Sequence, residues 1–246
     1  MTLRVAGIWR HPIKGIGRER LDSTELQADR PLPGDRAWAL LHEGAGDTDD
    51  WQPRRNFLVV ASGPRLAQLT ARSLPDGRIL LEHPDLTPLT VDPARDGAAL
   101  VAWVRPIWPE DRPAPRRLVA APPQGMADNG AAQVAILNSA SLEALSARVG
   151  QQLDIGRFRG NIVLDGLPAW GEFDWIGHEI AIGDIRLEIT DRIERCRATE
   201  ADPATGQRNA NTLGALRDGW GHQDFGVYAT VRSGGEMTVG DEVTLT

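Results

Sequence analysis

Apolar residues along the chain fall into short alternating runs broken by Gly, Pro, Asn and Asp, the pattern of strands joined by tight turns. Leu3, Val5, Gly7 and Trp9 alternate with Arg4, Ala6 and Ile8, which predicts a first strand ending at His11-Pro12-Ile13-Lys14-Gly15. Residues 21–26 predict a second short strand, and Leu32-Pro33-Gly34-Asp35-Arg36 a turn opening into the apolar run of residues 37–40. Residues 44–51 read as a polar, acidic loop. Residues 68–73 and 78–83 flank Leu74-Pro75-Asp76-Gly77, a hairpin signal because Asp-Gly supplies the backbone angles a tight turn needs. Lys14 and Arg36 are thereby placed at strand ends.

In the second half, residues 133–137 predict a strand ending at Asn138-Ser139, after which Leu142, Leu145 and Val149 recur at helical spacing up to Gly150. Asn138 or Ser139 then caps a helix whose N-terminal amides can also bind an anion. Gly156-Arg157-Phe158-Arg159-Gly160-Asn161 leads into a strand at 162–165, setting two arginines and an asparagine at one strand entrance. Residues 179–182 and 185–189 form a second hairpin around Gly183-Asp184 and deliver the chain to residues 190–206. A short helix is predicted at 211–217, and late strands at 227–231 and 243–245, separated by a Ser233-Gly234-Gly235 turn. Residues 111–123, rich in Pro, Ala and Arg, read as an ordered connection or linker between segments 1–117 and 118–246. Many short strands, two hairpins and two helices predict a mainly β, α+β fold, barrel-like in form.

Composition narrows the function. The 246-residue chain carries a net charge of −7, which disfavours nucleic acid or an acidic membrane as partner. No apolar run approaches the roughly 18 residues that span a bilayer, and the N-terminus lacks the pattern of a signal peptide. One cysteine forms no internal disulfide, so a reducing, cytoplasmic setting is expected. Lys14 is the single lysine among 27 basic residues. In a chain that otherwise uses arginine, it marks a position where a compact ammonium is needed, or a chance survival.

The only cysteine, Cys196, stands between Arg195 and Arg197, and is followed by Asp202-Pro203 and Thr205-Gly206, turn chemistry that predicts an exposed loop. Flanking guanidinium groups are expected to depress the thiol's pKa and favour the thiolate, which is both nucleophile and soft metal ligand. The alternative is a small buried hydrophobe. Asp202 is either a turn former before Pro or a proton donor. The five histidines show no zinc spacing with Cys196, and no nucleophile elbow is present. Lys14, Arg36, Asn138, Ser139, Arg159, Asn161, Arg195 and Cys196 all fall at strand ends. If they converge, they make an anion pocket beside one thiolate, suited to a phosphorylated, metal-carrying cofactor.

These groups sit in a series of short motifs: His11-Pro12-Ile13-Lys14, Gly34-Asp35-Arg36-Ala37-Trp38, residues 137–142 (LNSASL), residues 157–166 (RFRGNIVLDG), Arg195-Cys196, residues 202–206 (DPATG), Phe225-Gly226-Val227-Tyr228 and Val239-Gly240-Asp241. In this order and spacing the chain resembles the MOSC family, named after the C-terminal domain of molybdenum cofactor sulfurase. The resemblance covers nearly the whole chain, with an N-terminal β-barrel domain to about residue 117 and the MOSC domain beyond it. It implies binding of the pterin-based molybdenum cofactor, molybdopterin. Cys196 matches the molybdenum ligand of the amidoxime-reducing members. Lys14, Arg36, Arg159 and Asn161 match positions holding the pterin and its phosphate, and Asn138, Ser139 and Arg195 match nearby cofactor contacts. The implied activity is reduction of small N-hydroxylated compounds; pyridoxal phosphate binding is a further association at the level of the family. Several positions depart from the family's pattern: His11 stands for Tyr, Gly15 for Ser, Gly160 for Pro, and Ile193 for the first cysteine of Cys-x-Arg-Cys. The last leaves a single thiolate ligand. With no C-terminal iron–sulfur domain of the kind some bacterial relatives carry, electrons are expected from a separate donor protein. Two other expectations stand beside the reductase: a sulfur carrier with a persulfide on Cys196, and a cofactor-binding module without turnover.

Overall fold

A computed structural model describes residues 2–46 and 50–246; residues 47–49, inside the expected acidic loop, lie outside the described residues. The elements in order are β1 (Arg4–Arg10), β2 (Ile13–Lys14), β3 (Glu19–Leu21), β4 (Ser23–Leu26), β5 (Trp38–His42), β6 (Thr70–Ser73), β7 (Ile79–His83), β8 (Leu86–Val91), α1 (Gly97–Val104), β9 (Pro115–Ala120), β10 (Val134–Asn138), α2 (Ser139–Val149), β11 (Ile162–Asp165), β12 (Glu179–Ile182), β13 (Ile185–Glu194), α3 (Thr212–Trp220), β14 (Asp224–Ser233), β15 (Gly235–Thr238) and β16 (Val243–Leu245). The fold is mainly β with a few helices, as the alternation predicts.

An eight-stranded sheet runs β16-β12-β13-β14-β10-β11-β1-β3. Its ends meet: Val5 N donates to Asp241 O at 2.9 Å, Gly240 N to Val5 O at 2.8 Å and Val243 N to Leu3 O at 3.0 Å. These bonds tie the first strand to the last, so the sheet curls into a barrel and hides the edges an open sheet would expose. Inward positions alternate along β13, where Ile185, Leu187 and Ile189 are fully buried, and they meet Val5, Ile8, Ile136, Ile162, Val227 and Val231 in one core. Each such side chain contributes about 1.5–3 kcal/mol of burial.

A second core forms around Ile13, Leu40, Leu58, Leu66, Leu81, Leu100 and Val104. It is covered by the three-stranded sheets β2-β5-β9 and β6-β7-β8. Ala201, from the segment after Cys196, packs into this same cluster. The chain thus runs from the first core, through β13, past Cys196 and into the second core.

The structure adds detail to the expected layout. Residues 111–123 are not simply a linker: β9 lies within them and pairs with β5 from Trp38↔Ala120 to His42↔Pro115. Two strands of the expected 1–117 segment, β1 and β3, belong to the large sheet, β1 pairing with β11 from Arg4↔Asp165 to Ile8↔Ile162. Helix α1 and strand β8 carry no legible signal: α1 is apolar nearly all round, and its N-cap residue Asp96 makes no side-chain capping bond. Among the described residues no helix is long and apolar enough to cross a membrane.

Gly15, directly after Lys14, has φ = 73°, and a Cβ there would lie 2.3 Å from Leu58 O. The serine of the family's pattern does not fit this backbone. Gly15→Ser is expected to destabilise the fold by about 1–3 kcal/mol, read as a lower urea midpoint with unchanged slope.

Candidate functional site

The turn that ends β1 is fixed by His11, whose main-chain N–H donates to Asp35 Oδ1 at 2.7 Å and whose Nε2 lies 3.2 Å from Gly160 O. Two residues later β2 runs parallel to β5 and holds Lys14 in the interior, 4% exposed. Its ammonium donates to Met126 O at 2.8 Å, pairs with Asp128 and sits 5.8 Å from the centre of the Phe57 ring.

Arg36 and Arg159 both adopt the left-handed backbone region, with φ = 49° and 48°. That region is unfavourable for a side chain with a Cβ and persists where surroundings over-determine it, commonly at functional sites. Asp35 supplies the ion-pair partner for Arg36, whose Nη2 also donates to Arg159 O at 2.9 Å. Arg159 donates from Nη1 to Gly17 O at 3.2 Å, while its Nη2 is buried and has no partner. Burial, reinforced by the charge of Arg36, pushes the Arg159 pKa down to about 9. An anion placed there would relieve both effects.

Arg195 follows β13, whose register shifts between Ile189 and Asp191 and again between Arg192 and Glu194. Such bulges re-aim the end of a strand. The guanidinium donates from Nη1 to Phe158 O and from Nε to Phe225 O, both at 2.8 Å, and stands beside the stacked rings of those residues, 3.9 Å apart. Burial lowers its pKa to about 10. Asn161 is fully paired: Oδ1 accepts from Ala135 N at 3.0 Å and Nδ2 donates to Trp9 O at 3.2 Å, locking β1 to β10 where β11 begins.

These side chains line one cavity of about 420 Å³, and the partly buried thiol of Cys196 forms part of its wall. Six of the eight expected residues are brought together: Lys14, Arg36, Arg159, Asn161, Arg195 and Cys196. Of the two flanking arginines only Arg195 shares the cavity. Arg197 is 58% exposed and pairs with Glu200 at 3.6 Å. Arg54, Arg157, Asp128, Gln133, Glu194, Thr199 and Tyr228 complete the polar lining. Sequence reasoning did not place them in the pocket, although Arg157 lies in the arginine-rich strand entrance and Tyr228 is the chain's single tyrosine. Burial raises the pKa of that phenol, so its proton stays on at neutral pH. Asp128 sits in an irregular loop and had no sequence signal.

Asn138 and Ser139 do not line the cavity. Asn138 caps α2, accepting from Ala140 N at 3.0 Å, and its Nδ2 donates to Pro168 O at 2.8 Å and to Glu172 Oε2 at 2.7 Å. Ser141 Oγ also lies 2.9 Å from Glu172. The polar side chains at this helix N-terminus thus bond the protein's own buried Glu172 carboxyl, whose pKa burial raises. Asp202 also lies outside the cavity lining. It accepts from Ala204 N at 2.8 Å and Asn209 Nδ2 at 2.7 Å, the geometry of a turn former. Among the described residues no cluster of three or more His, Cys, Asp or Glu is placed to hold a metal ion.

The fold thus defines a class: a β-barrel protein with a partly open cavity rich in basic side chains and walled by one thiol. The MOSC N-terminal beta barrel domain family matches residues 2–104 and the MOSC domain family matches residues 121–244, and the chain belongs to the MOSC family. It is 25% identical to mitochondrial amidoxime-reducing component 1 of Mus musculus over 98% of this chain and 82% of that protein. It is 26% identical to the molybdenum cofactor sulfurase of Caenorhabditis elegans over 91% of this chain, which spans only 33% of that protein. The YUAD protein from Bacillus subtilis shares the fold at a TM-score of 0.51 and 11% identity, covering 99% of this chain and 94% of that one.

Asn138→Ala is expected to cost about 1–2 kcal/mol of stability through the lost cap and the lost donor to Glu172, with phosphate affinity unchanged by calorimetry. Arg159→Gly is expected to do the reverse. The left-handed backbone and the buried unpartnered charge are both relieved, so the melting temperature does not fall, while inorganic phosphate binds about 10- to 100-fold more weakly.

Proposed function

We propose that the cavity holds the pterin-based molybdenum cofactor and that the protein reduces small N-hydroxylated compounds. The observation that carries this reading is the buried, unpartnered Nη2 of Arg159, set among Lys14, Arg36 and Arg195 in the cavity that Cys196 walls. The donor set fits such a group. Guanidinium forks and one ammonium suit a phosphate, and a lone thiolate suits a soft metal that brings its remaining ligands with it. The names of the mouse and nematode relatives point the same way.

In this reading Lys14, Arg36 and Arg159 hold the phosphate and pterin, Arg195 braces the wall beside the thiol, and Cys196 ligates molybdenum. Such a centre, when bound, would supply the two-electron couple that the reduction needs. The N–O bond of R–NH–OH breaks, and two electrons from a separate donor protein with two protons give R–NH2 and water. Tyr228, protonated and facing the cavity, offers an O–H donor within that space. A cytoplasmic location belongs to the same reading, as the compartment that keeps a lone thiol reduced.

The test is molybdenum and pterin content of protein from a host that makes the cofactor, for wild type and Cys196→Ser. Near-stoichiometric molybdenum and pterin in wild type, with molybdenum lost and pterin kept in the variant, is the expected result. Absence of both from wild type overturns the reading, and a persulfide on Cys196 by mass spectrometry replaces it with sulfur transfer.

A further inference from the structure

We propose that Arg157 is a positioning residue that sets where the Cys196 thiol stands in the cavity, acting through the chain segment that follows the cysteine. Its side chain is 2% exposed and reaches into that segment from below. Nη1 donates to Glu200 O at 3.0 Å and lies 3.4 Å from Thr199 O, Nη2 donates to Asn209 Oδ1 at 2.7 Å, and the Asp202 carboxylate is 3.4 Å away. Both ends of the 197–209 loop are thus fastened to one guanidinium.

The loop closes on itself around that group. Asp202 N donates to Gln207 O at 2.8 Å, Asn209 N to Glu200 O at 3.2 Å, and Asn209 Nδ2 to Asp202 at 2.7 Å. Thr199 connects the clamp to the thiol residue: its Oγ1 donates to Cys196 O at 3.1 Å and meets Thr212 Oγ1 at 2.6 Å. On the other side, Phe158 O holds Arg195, and Arg159 aims at the anion site. One three-residue stretch therefore fixes the residue before Cys196, the loop after it and the cation that faces it. A planar fork serves several acceptors at fixed angles; an ammonium does not.

The positional claim needs only the shared cavity. Its metal arm rests on the proposed cofactor. The probe is iodoacetamide, read as the alkylation rate of Cys196 in the cofactor-free protein, with melting temperature as the folding control. Arg157→Gln is expected to raise the rate about tenfold, because the loop opens more often, and Arg157→Lys is expected to resemble it. Asn209→Ala removes the clamp from the loop side, so a failure of Arg157→Gln to fold leaves the idea exposed to test. Unchanged alkylation in every folded variant, or full rescue by Arg157→Lys, overturns it. In protein from a cofactor-producing host, Arg157→Gln is expected to keep pterin and lose molybdenum; loss of both together overturns the positioning role. If wild type carries neither, the cofactor reading fails while the alkylation result still decides the role of Arg157.

Discussion

Main-chain carbonyls hold the buried cations of this protein in place. Like charges crowded into a poorly solvated space repel and lose their hydration, and each needs compensation. Arg195 receives it from Phe158 O and Phe225 O, Arg36 from Asp35 and Arg159 O, Lys14 from Met126 O and Asp128, and Arg157 from Thr199 O and Glu200 O. Compensation is incomplete at two cavity arginines: Arg159 has Nη1 bonded to Gly17 O and Nη2 left bare, and Arg157 keeps a bare Nε. The scaffold thus pre-organises a cationic surface and leaves donors on it unpaired, which suits an anion.

Those carbonyls are available because their strands end there. Phe158 precedes β11, Phe225 lies at the start of β14, and Arg195 leaves β13 after three register shifts. At such ends the ladder stops and acceptors face inward unclaimed. Barrel closure through β1 brings the N-terminal segment, with Lys14 and Arg36, against the same rim. The cavity is accordingly built from both halves of the chain, and neither half contains it alone.

Departures from the family's pattern have local steric causes. Gly15 takes a backbone conformation that excludes a side chain against Leu58 O. At Gly160 a Cβ would lie 2.4 Å from Leu137 Cγ, so the leucine occupies space a larger residue would need. His11, near Arg36 and Arg159, is buried and kept neutral by that burial and those charges, which avoids adding a further cation. Each change alters packing around the cavity while its basic residues remain.

The sequence by itself determined most of the strands, both hairpins, the capped helix at Asn138 and the singular status of Lys14 and Cys196, because alternation, turn residues and composition are local properties. Six of the eight residues it marked line the cavity, since each motif ends a strand. It could not separate Asn138 from that group, because a cap and an anion site share one signature and only the fold brings Glu172 to it. Asp128, Arg157 and Tyr228 join the site through the non-sequential order of the large sheet and through loop packing. Convergence is a property of that order and register, and only the tertiary structure decided which strand ends share one cavity.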